Sequence, residues 1–225
     1  MPPSDSGTPP EAIPKRVFLL SPAKCTGVRA QHIFSDRKTA SPLVERLRRD
    51  EPVSMGEVFA FMSGLYFRGK LAYAEAFAQP PAGVHGVLVI TPDEGLRPPS
   101  EPLRIPRLRR YAAASIDADN PRYRRPLARD ARRLKAAAPD CEFVLLGSIA
   151  SDKYVDVLLP VFGERLHFPA EFVGRGDMSR GGLLLRCVRD TCQLSYTPLA
   201  GAVRHGVRPA RLAPLSRTHR SPAGR

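Results

Sequence analysis

The side chains in this sequence that could do chemistry gather where apolar runs end. Three runs, VFLLSPAK (17–24), VLVITPDEGL (87–96) and FVLLGSIASDKY (143–154), each finish in a polar cluster. Between them they supply Ser21, Lys24, Glu94, Arg97, Ser148, Asp152 and Tyr154, and a glycine-rich stretch, FVGRGDMSRGG (172–182), adds Arg175 and Arg180. Lys24, Arg97, Arg175 and Arg180 offer positive charge to a phosphate or a developing oxyanion, with arginine suited to bidentate contacts. Glu94 and Asp152 are the available carboxylates, and in an apolar crevice either can serve as a general base. Tyr154 can donate a hydrogen bond or stack on a base. Each has a plainer role open to it: Glu94 pairing with Arg97, Asp152 capping a helix, Tyr154 as a core ring with a satisfied hydroxyl.

Other chemistries find little support. The histidines at 32, 85, 167, 205 and 219 form no close pair, which argues against a zinc hydrolase or a Ser-His-Asp hydrolase. Cysteines 25, 141, 187 and 192 make no CxxC or finger spacing, so neither a metal nor a cofactor is expected and the thiols read as reduced. Cys25 stands apart, because the neighbouring Lys24 would favour its thiolate.

Positioning these groups requires strands at the three apolar runs and helices between them. That alternation predicts parallel crossover units, hence a single α/β domain with a central, mostly parallel sheet flanked by helices. In such sheets the loops at the carboxyl ends of the strands form the ligand crevice, so the three clusters are expected to share one pocket. Residues 1–15, with five prolines, read as a disordered tail; the domain is expected over 16–192. Residues 25–40 read as a long loop. Ser41-Pro42 and the capping box Ser54…Glu57 start helices, 68–78 continues helical with Leu71, Ala74 and Phe77 or Ala78 on one face, and Ser151 can cap a third helix. A proline- and arginine-rich connection runs to about 110, and a short strand is expected near 165–168. Gly174 and Gly176 flank Arg175 in a tight turn, after which Asp177 or Ser179 caps a helix, a plausible anion site.

Charge points to partners. The 225-residue chain carries a formal net charge of +13, which attracts polyanions, nucleic acid foremost. Helical spacing over 122–138 puts Leu127, Ala131, Leu134 and Ala138 on one face and presents Arg122, Arg125, Arg129 and Arg132 on the other. Residues 193–225, free of acidic side chains, read as a basic, largely disordered arm. No apolar stretch reaches 18 residues and no signal-peptide pattern opens the chain, so a cytoplasmic protein without a membrane partner is expected. Oligomeric state is left open by these features.

In order along the chain, LLSPAK (19–24), YFRGKLAYAEAF (66–77), ITPDEGLRPPSEPL (90–103), GSIASDKYVDVL (147–158) and GRGDMSRG (174–181) resemble the landmarks of the YaaA peroxide-stress family. The resemblance spans roughly 17–190. It departs from the family pattern at Cys25, at Pro99 and Ser100, and at Lys153, the mark of a divergent relative. The resemblance implies one α/β domain, a basic cleft and DNA binding linked to protection from oxidative damage. By position it carries over Ser21, Lys24, Gly95, Arg97, Ser148, Tyr154, Arg175, Met178 and Arg180, with Met178 reading as a packing residue. Two functions follow as expectations: a nucleic-acid-binding stress protein, most simply a DNA-binding one, or a small enzyme acting on a nucleobase or nucleoside in the same cleft.

Overall fold

The structure, a computed structural model, describes residues 14–35, 41–210 and 212. The proline-rich N-terminus through residue 13 and most of the arm beyond 210 lie outside the described residues. The three apolar runs form β1 (Arg16–Leu20), β2 (Val87–Ile90) and β4 (Glu142–Leu146), joined by β3 (Leu96–Arg97), β5 (Leu166–Pro169) and β6 (Tyr196–Pro198) in a sheet of order β3-β2-β1-β4-β5-β6. β1 pairs in parallel with β2 and β4, and β4 with β5. The two edges, β3 and β6, run antiparallel and are short, which limits the exposed edge.

Alternation along the central strands divides the core into two layers. Phe18, Leu20, Val144 and Leu146 face one apolar cluster, while Val17, Leu19, Phe143 and Leu145 face the other. The first layer is covered by α1 (Val28–Phe34), α2 (Pro42–Arg48), α3 (Met55–Ser63), α4 (Leu65–Phe77), α5 (Ile105–Ala113) and α8 (Asp177–Arg189). The second is covered by α6 (Pro121–Ala137) and α7 (Asp152–Phe162). A strand buried on both faces reads as a continuous apolar run, which is why β1 and β4 are plain in the sequence.

Helix boundaries follow local chemistry. Ser54 and Glu57 form the expected capping box, each satisfying the other's backbone N–H. Asn120 caps α6 through a hydrogen bond from the Arg122 N–H, and Pro121 sits at its first position. α6 buries Tyr123, Leu127, Ala131 and Leu134 and leaves Arg122, Arg125, Arg129 and Arg132 exposed, as the spacing predicts. Several expectations are corrected. The supposed loop at 25–40 contains α1, a short helix without a side-chain cap, and α5 begins inside the proline-rich connection because Pro106 occupies its first turn, where no N–H is needed. Neither Ser41 nor Ser151 makes a side-chain cap bond, and α8 is preceded by Gly176 at the cap position rather than opened by Asp177 or Ser179.

The domain also runs past Cys192. Tyr196 in β6 shares a 2.6 Å hydrogen bond with the Tyr73 hydroxyl, which accepts the Leu194 N–H at 2.8 Å. Arg16 lies 4.3 Å over the Tyr196 ring and donates to Gln193. The first residues of the expected arm thus belong to the sheet, held by aromatic packing that charge composition hides.

Candidate functional site

The order of the parallel strands changes direction at β1: the chain steps from β1 to β2 on one side and returns to β4 on the other. Outside the carboxyl ends of two strands that part in this way, a crevice forms by necessity. Here it is a cleft of about 470 Å³ lined by Ser21 and Lys24 after β1, Ser148 after β4, Lys153 and Tyr154 of α7, Tyr66 and Lys70 of α4, and Asp177 of α8. Its volume lies within the range of small-molecule sites.

α4 and α8 bring their groups to the cleft through one close approach. A Cβ on Gly69 would lie 2.7 Å from the Gly181 carbonyl oxygen, and one on Gly181 would lie 2.8 Å from the Leu65 carbonyl oxygen and the Tyr66 Cα. Only glycine at both places lets the helix backbones meet this closely. The contact sets Tyr66 and Lys70 against Asp177 and Arg180.

Lys70 is the centre of the site. It is 1 % exposed, and its ammonium lies 4.6 Å from the Tyr66 ring centroid and 5.1 Å from that of Phe67. Its Nζ donates to the Ser21 carbonyl at 2.5 Å and to Ser21 Oγ at 2.7 Å. Burial drives the Lys70 ammonium down from 10.5 to about 7; Asp177 opposes the shift and Arg180 adds to it. Among the described residues no carboxylate forms an ion pair with it; Asp177, 68 % exposed, pairs with Arg180 at 3.7 Å. Ser21 Oγ also reaches the Leu146 carbonyl at 3.3 Å, tying it to the β4 exit. Tyr154 is buried with its hydroxyl toward Ser21, and burial raises it well above the ordinary tyrosine range. The buried Tyr66 hydroxyl, raised by burial to about 12, has no hydrogen-bond partner among the described residues and has the Arg180 guanidinium nearby. An unsatisfied buried donor beside a cleft is a group that a ligand can satisfy.

Of the residues expected at one pocket, Ser21, Lys24, Ser148 and Tyr154 meet here. Arg180 stands behind them, its Nε and Nη2 donating to the Phe172 carbonyl at 3.3 and 2.9 Å. The third strand end does not join. Glu94 accepts from Arg107 and, at 2.6 Å, from the Tyr111 hydroxyl, and it pairs with Arg110. Burial would raise the Glu94 carboxyl, but the hydrogen bonds from Arg107 and Tyr111 and the two arginine charges outweigh it and hold the group low. So engaged, Glu94 fastens α5 to the β2–β3 turn and is a poor general base; Arg97 lies 4.0 Å from it, the plainer pairing. Asp152 is 73 % exposed, outside the cleft lining, and pairs with Arg204 at 3.5 Å. Arg175 follows the Gly174 turn, where φ is +71°, but lines a separate cavity of about 300 Å³ with Arg186 and Arg208. Met178 is exposed rather than packed. Cys25 is buried, and burial pushes its thiol up to about 12, so the thiolate favoured by Lys24 does not form.

Lys70 and Tyr66 carry no site motif of their own in the sequence. The signal that could have found them is Gly69, a helix-interior glycine whose 0.5–1 kcal/mol cost asks for a close neighbour. Among the described residues no group of three or more His, Cys, Asp or Glu side chains is placed to hold a metal, and no helix is long and apolar enough to cross a membrane. No family model, curated protein or solved structure matches the chain.

Proposed function

We propose that the protein binds nucleic acid, with the arginine face of α6 on the phosphate backbone and the β1–β4 cleft receiving one nucleotide-sized unit. The observation that carries this reading is the junction of the two surfaces. The Tyr123 hydroxyl, in the first turn of α6, donates to the Lys153 carbonyl at the cleft rim at 2.8 Å. From that point Arg122, Arg125, Arg129 and Arg132 extend along the exposed side of the helix for about 15 Å. Arg129 pairs with its neighbour Asp130, whereas Arg122, Arg125 and Arg132 make no ion pair among the described residues. Lys24 and Lys153 continue the positive charge to the cleft mouth, and Tyr66 and Tyr154 supply aromatic surface within it. The ordered motifs that resemble the YaaA peroxide-stress family support a DNA ligand and a role in stress protection.

The test is the ionic-strength dependence of oligonucleotide affinity. Each phosphate neutralised contributes about −0.9 to the slope of log K against log salt on duplex DNA and about −0.7 on single strands. Replacing Arg122, Arg125 and Arg132 together by alanine is expected to flatten the slope by about 2 to 3. An affinity indifferent to salt, or an unchanged slope in the triple variant, overturns the reading.

A further inference from the structure

The buried pair beneath the cleft implies more than binding. We propose that Ser21 is an oxygen nucleophile activated by Lys70, and that its substrate is a phosphate ester of the nucleotide unit held in the cleft. Only the identity of the ester rests on the nucleic-acid reading; the nucleophile and its base stand on their own geometry.

The hydrogen-bond arithmetic at Lys70 supports the assignment. The Ser21 carbonyl can only accept, so it takes an N–H of Lys70 at 2.5 Å. Lys70 Nζ also donates to Ser21 Oγ at 2.7 Å, while the single Ser21 hydroxyl proton goes to the Leu146 carbonyl at 3.3 Å; once Lys70 is neutral, that proton can turn from the longer bond to the amine lone pair. The groups that face the pair from the surrounding elements are Tyr66 on α4, Tyr154 on α7, Asp177 and Arg180 on α8, and Lys24 after β1. Among the described residues none of them forms an ion pair with Lys70. Lys70 ends on no carboxylate among the described residues: its partners are the carbonyl and the hydroxyl of Ser21, a residue that lines the cleft.

The step balances without a co-reactant other than water. The Ser21 hydroxyl proton passes to the Lys70 amine, Oγ bonds to phosphorus, and the bond from phosphorus to the leaving sugar oxygen breaks. The Lys70 ammonium returns the proton to that oxygen. Water, deprotonated by the same amine, then bonds to phosphorus as the Oγ–phosphorus bond breaks, and the Lys70 ammonium returns that proton to Ser21 Oγ. Lys24, which lines the cleft, supplies positive charge beside the phosphoryl oxygens.

The test uses the full chain and a fluorophosphonate, which delivers phosphorus to a nucleophilic serine and releases fluoride. Intact mass and peptide mapping are expected to show one adduct, on Ser21, forming at least about 100-fold faster in the wild type than in Lys70→Met. The wild-type rate is expected to climb with pH up to about 7 and then level off, a profile that needs no variant to fold. Absence of an adduct on Ser21, an equal rate in Lys70→Met, or a pH-independent rate overturns the proposal. An oligonucleotide labelled at both ends tests the ester, because one labelled strand stays on phosphorus whichever sugar oxygen leaves: a denaturation-resistant protein–oligonucleotide adduct lost in Ser21→Ala supports it. Ser21 labelling without that adduct overturns the phosphate-ester assignment. Oligonucleotide affinity of the wild type, measured in parallel, separates the two readings: binding without labelling sinks this inference alone, and labelling without binding sinks the nucleic-acid reading alone.

Discussion

Replacing Lys70 by methionine keeps the length and most of the apolar stem of the side chain while removing the buried amine. A lysine that titrates near 10.5 in the unfolded chain and at about 7 when folded binds fewer protons in the folded state throughout that window. The unfolded chain therefore takes up more protons between pH 7 and 10.5, and the stability of the wild type rises with pH across it. Below pH 7 the full penalty of keeping a buried ammonium is present, about 5 kcal/mol by linkage. Relative to Lys70→Met, the wild type is expected to gain about 2 kcal/mol between pH 7 and pH 9, because the lower end of the window coincides with the folded-state titration. Loss of the hydrogen bonds to Ser21 shifts the variant by a roughly constant amount and leaves this slope intact. Urea unfolding of both proteins at half-unit steps from pH 6 to 9.5 reads the difference directly, since groups that titrate alike in both proteins cancel. A difference that stays flat between pH 7 and 9 would refute the lowering of the Lys70 ammonium by burial.

Three further outcomes are expected. Gly181→Ala should cost about 1–3 kcal/mol in urea unfolding, since its methyl group meets the α4 backbone at 2.8 Å and the two helices must part; an unchanged midpoint would show that the close approach is not needed. Tyr73→Phe removes the acceptor of the buried Leu194 N–H and the partner of Tyr196, so a loss of about 1–3 kcal/mol is expected, with faster proteolysis after Cys192. Under native conditions at pH 8, iodoacetamide should modify the exposed Cys192 and spare Cys25, whose buried thiol stays protonated; rapid alkylation of Cys25 would contradict its placement.

The sequence showed most of what periodicity can encode. β1, β2 and β4 are buried runs with no competing pattern, α6 has a clean apolar stripe, and the Ser54–Glu57 capping box is chemistry internal to four residues. What stayed hidden depends on contacts between distant segments. Leu71, Ala74 and Phe77 suggested one buried face for the helix at 68–78, yet α4 packs on several sides and buries Gly69, Lys70 and Tyr73 as well. A lysine on a helix reads as solvated until the helix that covers it is known, and that helix, α8, lies more than a hundred residues later. The partners of Glu94 stay hidden for the same reason: α5, with Arg107, Arg110 and Tyr111, is concealed among prolines that read as breakers. The structure brings two of the three strand ends to one cleft and leaves the third apart, because strand order, which decides where the sheet divides, is not written in any local pattern.

The central claim is that the cleft between the ends of β1 and β4 receives a nucleotide unit at the end of a basic face. Photo-crosslinking of an oligonucleotide carrying 5-iodouracil, followed by peptide mapping, tests it most directly. Adducts are expected on Tyr66 or Tyr154, suppressed by excess unmodified oligonucleotide. Adducts confined to the α8 cavity around Arg175, or none on the cleft tyrosines while binding persists, would contradict it.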